Sequence, residues 1–311
     1  MTETSRPAIR AVVVTFESAR VIDACLDALA AAAPRRGVDV RVIDNGSSDD
    51  GARRAEHRLG AGHVVRLESN RGFAAGVNVG LRDATTPFVA VVNPDVVLPA
   101  SGLDVLADAL DADPRAGLVG PRVRDVAGRP DRSAGHFPTL GRERVHAWCL
   151  DRLLGRVGRR MDFPSERSRV DWLSGCMWLL RSEAIRDVGP LDEDYFMYFE
   201  DVDYCRRLAA ANWAVIAVPA VEVRHAIAQG SARSVDLPAD GGAKPLLHYF
   251  EKFHPDTAPA AVRGTLTTGW RLRRLFYEVR ARAGYPAARA RAHRFELALA
   301  SLRDTGKERG D

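Results

Sequence analysis

A chain of 311 residues with 46% apolar content is long enough for one large domain or two modest ones and holds an ordinary share of core-forming side chains. No stretch nears the roughly 18 uninterrupted apolar residues of a membrane span, and the opening Met1-Thr-Glu-Thr-Ser-Arg-Pro7 lacks the apolar core of a secretory signal, so a cytosolic protein is expected. The net charge of +4 hides an asymmetry: residues 242–311 hold 14 Lys or Arg against 7 Asp or Glu, and with 45 and 41 in the whole chain the remainder carries 31 against 34.

The first strand signal is Ala11-Val-Val-Val-Thr-Phe16, a β-branched run that breaks into polar residues. Apolar residues at helical spacing follow over residues 21–33. Val38-Asp-Val-Arg-Val-Ile-Asp-Asn-Gly46 repeats the strand pattern, and Ser47 or Ser48 behind it can cap the next helix. Asp44 and Asn45 then face the sheet edge, where they suit the edge of a nucleobase, or they belong to a simple turn; both readings stand. A third strand is expected near residue 63.

Asn70-Arg-Gly-Phe-Ala-Ala-Gly-Val-Asn-Val-Gly80 places Gly72, Gly76 and Gly80 on one face of a helix, where a backbone or a ligand can come close. Helix amides beside Arg71 suit a diphosphate, although the spacing is not the dinucleotide fingerprint. Phe88-Val-Ala-Val-Val-Asn-Pro-Asp95 is the most informative stretch, a buried-strand run that stops at a polar triplet. Ligands of open α/β sheets bind beyond the carboxyl ends of the strands, so Asp95 stands where chemistry is expected. It can hold Mg²⁺ or Mn²⁺ with substrate phosphates, or serve as an ordinary turn residue.

A helix over residues 103–110 and a strand near 117 continue the alternation, which argues for βαβ units and a mostly parallel sheet with all tips on one side. Thr15, Asp44, Asn45 and Asp95 line up along that edge. The periodicity fails over residues 124–169, which carry His136-Phe-Pro138, Trp148 and Arg156-Val-Gly-Arg-Arg160, as in a substrate lip or a disordered insertion. Order returns with the strand-like Val170-Asp-Trp-Leu-Ser-Gly-Cys-Met-Trp-Leu-Leu180 and a helix from an N-cap at Ser182 to a stop at Gly189.

Phe196-Met-Tyr-Phe-Glu-Asp-Val-Asp-Tyr-Cys-Arg-Arg-Leu208 gathers Glu200, Asp201 and Asp203 where an aromatic run turns into a helix. Acidic residues favour a helix amino end, and a carboxylate at the end of a partly apolar cleft is also placed to act as a general base. Strands over residues 214–218 and 221–225 close the core, and His225 is either structural or faces Asp95 to complete a metal site. Beyond residue 242 the chain is Arg/Ala-rich and helical. Its Trp270-Arg-Leu-Arg-Arg-Leu-Phe-Tyr277 suits the inner leaflet of a membrane and a lipid-diphosphate-linked acceptor, or the helix pair makes dimer contacts. No nucleic-acid-reading motif accompanies the charge. Cys25, Cys149, Cys176 and Cys205 are too scattered for a zinc site or a disulfide framework, and buried, reduced thiols are expected.

Taken in order, Val14-Thr15-Phe16, Val42-Ile-Asp44-Asn45-Gly46-Ser47, residues 70–80, Asn93-Pro94-Asp95, Trp172-Leu-Ser-Gly175 and Phe199-Glu200-Asp201-Val-Asp203 resemble the family 2 glycosyltransferases of GT-A fold, among them bacterial rhamnosyltransferase-like members, over residues 8 to about 235. The resemblance implies a Rossmann-like, mostly parallel sheet flanked by helices. A catalytic domain over residues 1–240 would comprise a nucleotide-sugar half (8–123) and an acceptor half (124–240), followed by a helical extension (241–311). It implies donor contacts from Thr15, Phe16, Glu17, Asp44, Asn45, Arg71, Gly72, Gly76, Asn78, Asn93 and Asp95, and acceptor contacts from Trp172, Gly175 and Glu200. Asp95 and His225 would hold Mg²⁺ or Mn²⁺, and Asp201 would act as catalytic base in an inverting displacement.

The donor it implies first is dTDP-rhamnose and the acceptor a saccharide or polyprenyl-diphosphate-linked saccharide of the cell envelope, handled in the cytoplasm or on the cytoplasmic membrane face, with a homodimer as a further expectation. Asn93 departs from the family's Asp-x-Asp motif, which keeps an inert nucleotide-sugar-binding scaffold in view. A sugar nucleotidyltransferase is disfavoured, because Thr15-Phe-Glu-Ser-Ala-Arg20 has no glycine after the first strand.

Overall fold

A computed structural model describes residues 7–131, 133–148, 162–226 and 243–304. The chain divides into two compact units, one formed by residues 1–135, 162–196 and 200–232, the other by residues 136–161, 197–199 and 233–311.

The first unit is built on a nine-stranded sheet. Strand β1 (Ile9–Thr15) is buried along its whole length because it has a parallel neighbour on each side, β2 (Val38–Asp44) and β4 (Phe88–Val92). That placement is why Ala11–Val14 is an unbroken apolar run, while Arg10, buried at the start of the strand, pairs with Asp39 at 2.6 Å. A short β3 (Val64–Arg66) extends the parallel set beyond β2. Helices α1 (Ile22–Ala32), α2 (Gly51–Leu59), α3 (Phe73–Leu81) and α4 (Gly102–Asp111) supply the intervening connections. α1 turns Ile22, Cys25, Leu26 and Leu29 into the core at helical spacing, and α4 does so with Leu103, Leu106, Ala107 and Leu110.

After β5 (Val96–Val97) and β6 (Ala116–Arg124), the long run near residue 175 departs from expectation. It is not one strand but three: β8 (Ser168–Val170), β9 (Trp172–Leu173) and β10 (Met177–Arg181). β10 enters the sheet between β4 and β6, antiparallel to both. β9 leaves it to pair with β7 (Ala134–Gly135) as a separate ribbon. Trp172 lies flat against that ribbon, since a Cβ at Gly135 would stand 2.5 Å from its Cζ2. The sheet order is therefore β3-β2-β1-β4-β10-β6-β11-β5, with β8 on β11. β1, β2, β3, β4, β6 and β11 run one way, so the sheet is mostly parallel.

Strand β11 (Ala214–His225) is continuous where two strands were expected, but its register against β6 slips between Val218 and Glu222. Pro219 has no amide to give the ladder, and a bulge absorbs it. Ser182 does not cap its helix: the helix Ser182–Val188 already contains it, and its hydroxyl donates to the Thr86 carbonyl at 2.6 Å.

The described part of the second unit is mostly helical. Part of the segment expected to be irregular forms the helix Leu140–Ala147, whose cap Thr139 accepts the Arg142 amide through its hydroxyl at 3.3 Å. With it go the helices Ala243–Phe253, Pro259–Arg282 and Pro286–Asp304. Gly269 brings the long helix against Ala147, where a Cβ would approach within 2.5 Å, and Tyr277 stacks on Phe295 with ring centroids 6.0 Å apart. No helix among the described residues is long and apolar enough to cross a membrane. The basic run 156–160 and Cys149 lie outside the described residues; Cys25, Cys176 and Cys205 are buried free thiols.

Candidate active site

Register brings the strand tips together. Thr15 stands opposite Asp44, and β4 ends opposite Val13, so Asn93-Pro94-Asp95 leaves the sheet at nearly the same level. Asn45 continues the ladder by donating its amide to the Thr15 carbonyl at 2.8 Å. The Thr15 hydroxyl is buried with no partner among the described residues, an orphan that invites a ligand atom. The next residue, Phe16, leaves its ring 46% exposed, an open aromatic face beside that tip.

Glu17 sits in left-handed backbone at φ +50° and accepts both the amide and the hydroxyl of Ser48 on Oε1, at 2.7 and 2.9 Å. Its own amide donates to the Ser47 hydroxyl at 2.9 Å. Both serines thus tie the β1 and β2 tips together instead of capping α2. That end is organised by Asp49, which accepts the Ala19 and Gly51 amides at 2.8 and 3.0 Å. Asp44 accepts the Ser47 amide at 3.3 Å.

Several residues read as donor contacts turn out to hold the frame. Asn45 is buried, and its side-chain amide donates to Asn70 Oδ1 at 2.9 Å and to the Gly72 carbonyl at 3.0 Å, while its oxygen accepts the Arg71 amide at 3.0 Å. Both donors are consumed in fixing the loop into α3, so the Asn45 side chain has no N–H left to offer a base. Asn78 is likewise committed, exchanging two hydrogen bonds with the Leu191 backbone at 2.8 and 2.9 Å and donating to Glu193 at 3.0 Å. Gly76 and Gly80 make room for valine side chains of β1: they let α3 lie on Val14 and Val12, where a Cβ at Gly76 would stand 2.6 Å from Val14 Cγ1. Gly72 is required twice over, by its φ of +87° and by the Phe196 backbone, whose carbonyl accepts the Phe73 amide at 3.0 Å. Arg71 is half exposed and reaches Glu193 at 3.1 Å. Asn70, Asp49 and Glu193 were not singled out from sequence. Only the Asn-Arg-Gly ahead of the glycine stripe hinted at the first.

The tip of β4 meets the end of β11. β5 pairs antiparallel with β11, setting His225 opposite Val96 and thus beside Asp95 across 130 residues of chain. His225 Nε2 lies 3.1 Å from Asp95 Oδ1 and 3.3 Å from Asn93 Nδ2. His225 Nδ1 is buried with no partner among the described residues. Two ligands at right angles on an octahedral divalent ion, each at ~2.1 Å, stand roughly 3 Å apart, so a carboxylate and an imidazole at this separation fit one cation. The neutral Asn93 neighbours the pair, and its side-chain orientation can be turned to present oxygen.

The helix Glu200–Ala210 begins after left-handed backbone at Tyr198 and Phe199, with φ of +69° and +71°, strain that fixes where its first turn starts. Asp201 accepts the Val202 amide at 2.8 Å and the Gly175 amide at 3.2 Å. The carbonyl of the next residue, Cys176, accepts the Asn93 amide at 2.9 Å. Two consecutive residues therefore link Asp201 to the Asn93–Asp95 tip. Consistently, Asp95 and Asp201 both act through space on the Cys176 thiol, which burial above all pushes up to about 12. Cys25 is pushed up to about 12 by burial and then by Asp95, and Cys205 is raised by burial too, so these thiols are inert.

Glu200 is buried with Oε2 unpaired, and its carboxyl is held well above the usual range, first by burial and then by the Asp201 charge. Between the ordinary Glu value and this raised one, the folded protein holds a proton that the unfolded chain has released, so stability falls as pH rises through that window. Glu200→Gln is expected to flatten this decline and so to raise stability at the upper end of that window. Melting curves across pH check it, and profiles that stay parallel for the two proteins would contradict it.

A mostly parallel sheet with one antiparallel strand set into its middle, and with its polar groups gathered at the tips, defines the GT-A class of α/β glycosyltransferases. Residues 7–237 match the model of the family described as glycosyltransferase like family 2, and the chain belongs to that family. It is 37% identical over 217 residues to the N-acetylglucosaminyl-diphospho-decaprenol L-rhamnosyltransferase of Mycobacterium tuberculosis, covering 65% of this chain and 70% of that one. It is 33% identical over 248 residues to the pre-mycofactocin glycosyltransferase of the same organism, covering 76% of this chain and 47% of that one.

Among solved structures, the fold is similar to the mannosyltransferase PcManGT from Pyrobaculum calidifontis in complex with GDP-Man and Mn²⁺, with a TM-score of 0.60 at 20% identity over 98% of this chain and 89% of that one. It is also similar to S. aureus TarS, with a TM-score of 0.54 at 19% identity over 86% of this chain but only 43% of that one.

Proposed function

We propose that this glycosyltransferase is an inverting, metal-assisted rhamnosyltransferase that moves rhamnose from dTDP-rhamnose to a hydroxyl of an N-acetylglucosaminyl-diphospho-polyprenol in cell-envelope polysaccharide synthesis. The observation that carries the chemistry is the link through Gly175 and Cys176, which holds a fixed carboxylate, Asp201, close to the Asp95–His225 pair. The identity to the mycobacterial rhamnosyltransferase supports the choice of donor sugar and acceptor.

In this reading the base lies against the exposed face of Phe16, with the Thr15 hydroxyl and Asp44 beside it. Arg71 leaves Glu193 to meet the diphosphate. Asp95 and His225 would hold Mg²⁺ or Mn²⁺, with Asn93 adjacent. When bound, the cation would supply neutralisation of the charge that develops on the departing diphosphate. Asp201 takes the proton of the acceptor hydroxyl as that oxygen bonds to the anomeric carbon from the face opposite the diphosphate. The bond from that carbon to the diphosphate oxygen breaks, and the nucleoside diphosphate leaves with the electron pair. In the same reading Trp172, Gly175 and Glu200 serve the acceptor side, Gly175 by donating its amide to Asp201 and Glu200 as the neighbour of Asp201 in the chain.

Calorimetric titration with a panel of nucleoside diphosphates and their sugars, with Mn²⁺, Mg²⁺ or chelator, followed by anomeric analysis of the product, tests the reading. Metal-strengthened binding of dTDP-rhamnose and an inverted product are expected. Retained configuration would remove Asp201 from its role, and binding without any turnover would favour an inert scaffold.

A further inference from the structure

The long helix Pro259–Arg282 of the second unit buries Val262, Thr265, Leu266 and Gly269 along its first half and then changes character. Leu272, Leu275, Phe276 and Val279 follow at helical spacing, and each is about half exposed, at 49, 58, 54 and 57%. On a soluble surface such a stripe is uncovered apolar area that needs a partner. Tyr285, just past the helix, is exposed as well.

Cations border this stripe on both sides. At 100° per residue Arg271 and Arg282 fall on one flank and Arg280 on the other, all exposed. Among the described residues none of the three pairs with a carboxylate; Arg280 instead lies 4.2 Å from the Tyr285 ring centroid and 5.6 Å from that of Phe276. The one acidic side chain of this stretch, Glu278, is taken up by Arg274 at 2.7 Å.

We infer that this face docks the protein on a membrane surface bearing anionic lipid headgroups, with Leu275, Phe276 and Val279 in the headgroup–acyl boundary and the three arginines on lipid phosphates. The charge decides against a second copy of the chain: two-fold pairing would set six unpaired arginines face to face with no carboxylate between them. The size agrees, since a stripe two turns or about 10 Å long cannot supply the ~800 Å² per partner of a stable protein interface. Arginines and aromatic rings interleaved with aliphatic side chains are what an interfacial helix presents to lipid. The purpose of docking rests on the lipid-linked acceptor proposed above, but the surface itself does not.

Flotation of the full chain with vesicles of phosphatidylcholine alone, or of equal parts phosphatidylcholine and phosphatidylglycerol, tests the inference. Binding to the anionic vesicles that weakens with salt is expected. Arg271→Glu with Arg282→Glu should lower it about tenfold or more, and Leu275→Ser with Phe276→Ser should lower it about tenfold. Turnover of a water-soluble acceptor analogue should stay unchanged in both variants. No flotation, equal flotation on neutral vesicles, or a dimer in light scattering that the Leu275→Ser/Phe276→Ser variant dissolves would each overturn the inference. Vesicle binding without sugar transfer would sink the transferase reading alone, and transfer without vesicle binding would sink this one alone.

Discussion

Asp201→Asn is expected to lower turnover by about 10²–10⁴-fold while leaving donor affinity within about threefold of the parent. The carboxylate is the only part of the residue that changes, and a carboxamide cannot take the acceptor proton. Asp201 sits in the first turn of its helix, where a negative charge is favoured, and its two oxygens are aimed by the Val202 and Gly175 amides. One of those amides will face the new side-chain N–H₂, so a melting curve must accompany the kinetics. A variant that melts like the parent, binds donor and does not turn over assigns the proton transfer to this position. Unchanged turnover would remove the base, and parallel loss of donor binding would make Asp201 a binding residue instead.

Asp95→Ala should abolish the metal response. In the proposed site Asp95 and His225, 3.1 Å apart, would supply one carboxylate and one imidazole ligand, and with Asn93 in place of a second carboxylate that site would have little redundancy. The expected result is donor binding equal with and without chelator, and a kcat/KM about 10²–10³-fold below the parent in Mn²⁺, the cost of leaving the departing diphosphate unneutralised. His225→Ala, which keeps the charged ligand, should cost less, about tenfold in metal affinity. Titrations of donor at fixed Mn²⁺ and of Mn²⁺ at fixed donor check both variants. A parent enzyme indifferent to chelator would overturn the metal assignment, and with it the role given to Asp95.

The framework of the first unit was readable because burial on both faces forces unbroken β-branched runs, and because such runs must end in polar residues where the sheet meets solvent. Thr15, Asp44, Asn93 and Asp95 were visible for that reason, and register alone brings Thr15 to Asp44. The acidic turn at Glu200 and Asp201 was visible because an aromatic run gave way to a helix start.

Polar residues one or two places away read the same and behave differently. Asn45 and Asn78 carry the composition of a binding site, yet their amides are spent on residues 70–72 and on Leu191, partners that sequence spacing cannot disclose. Gly76 and Gly80 satisfy the rule for close approach, but which surface approaches is a matter of how α3 lies on β1. Expecting a single strand through residue 175 failed because an apolar run does not reveal its own turns: Gly175 and Cys176 leave the sheet to reach Asp201 and Asn93.

Sequence by itself therefore determined the strand–helix alternation, the location of the polar tips and the basic, amphipathic character of the C-terminal helices, since each is a local consequence of period, propensity and charge. Tertiary structure decided between the two readings of His225 by standing it at Asp95, and it alone decided that Asp201 is tied to the same tip and that Leu272, Leu275, Phe276 and Val279 remain uncovered. Those depend on strand order, on an antiparallel insertion and on which helix faces find partners, and contacts across more than a hundred residues leave no trace in the spacing of the chain.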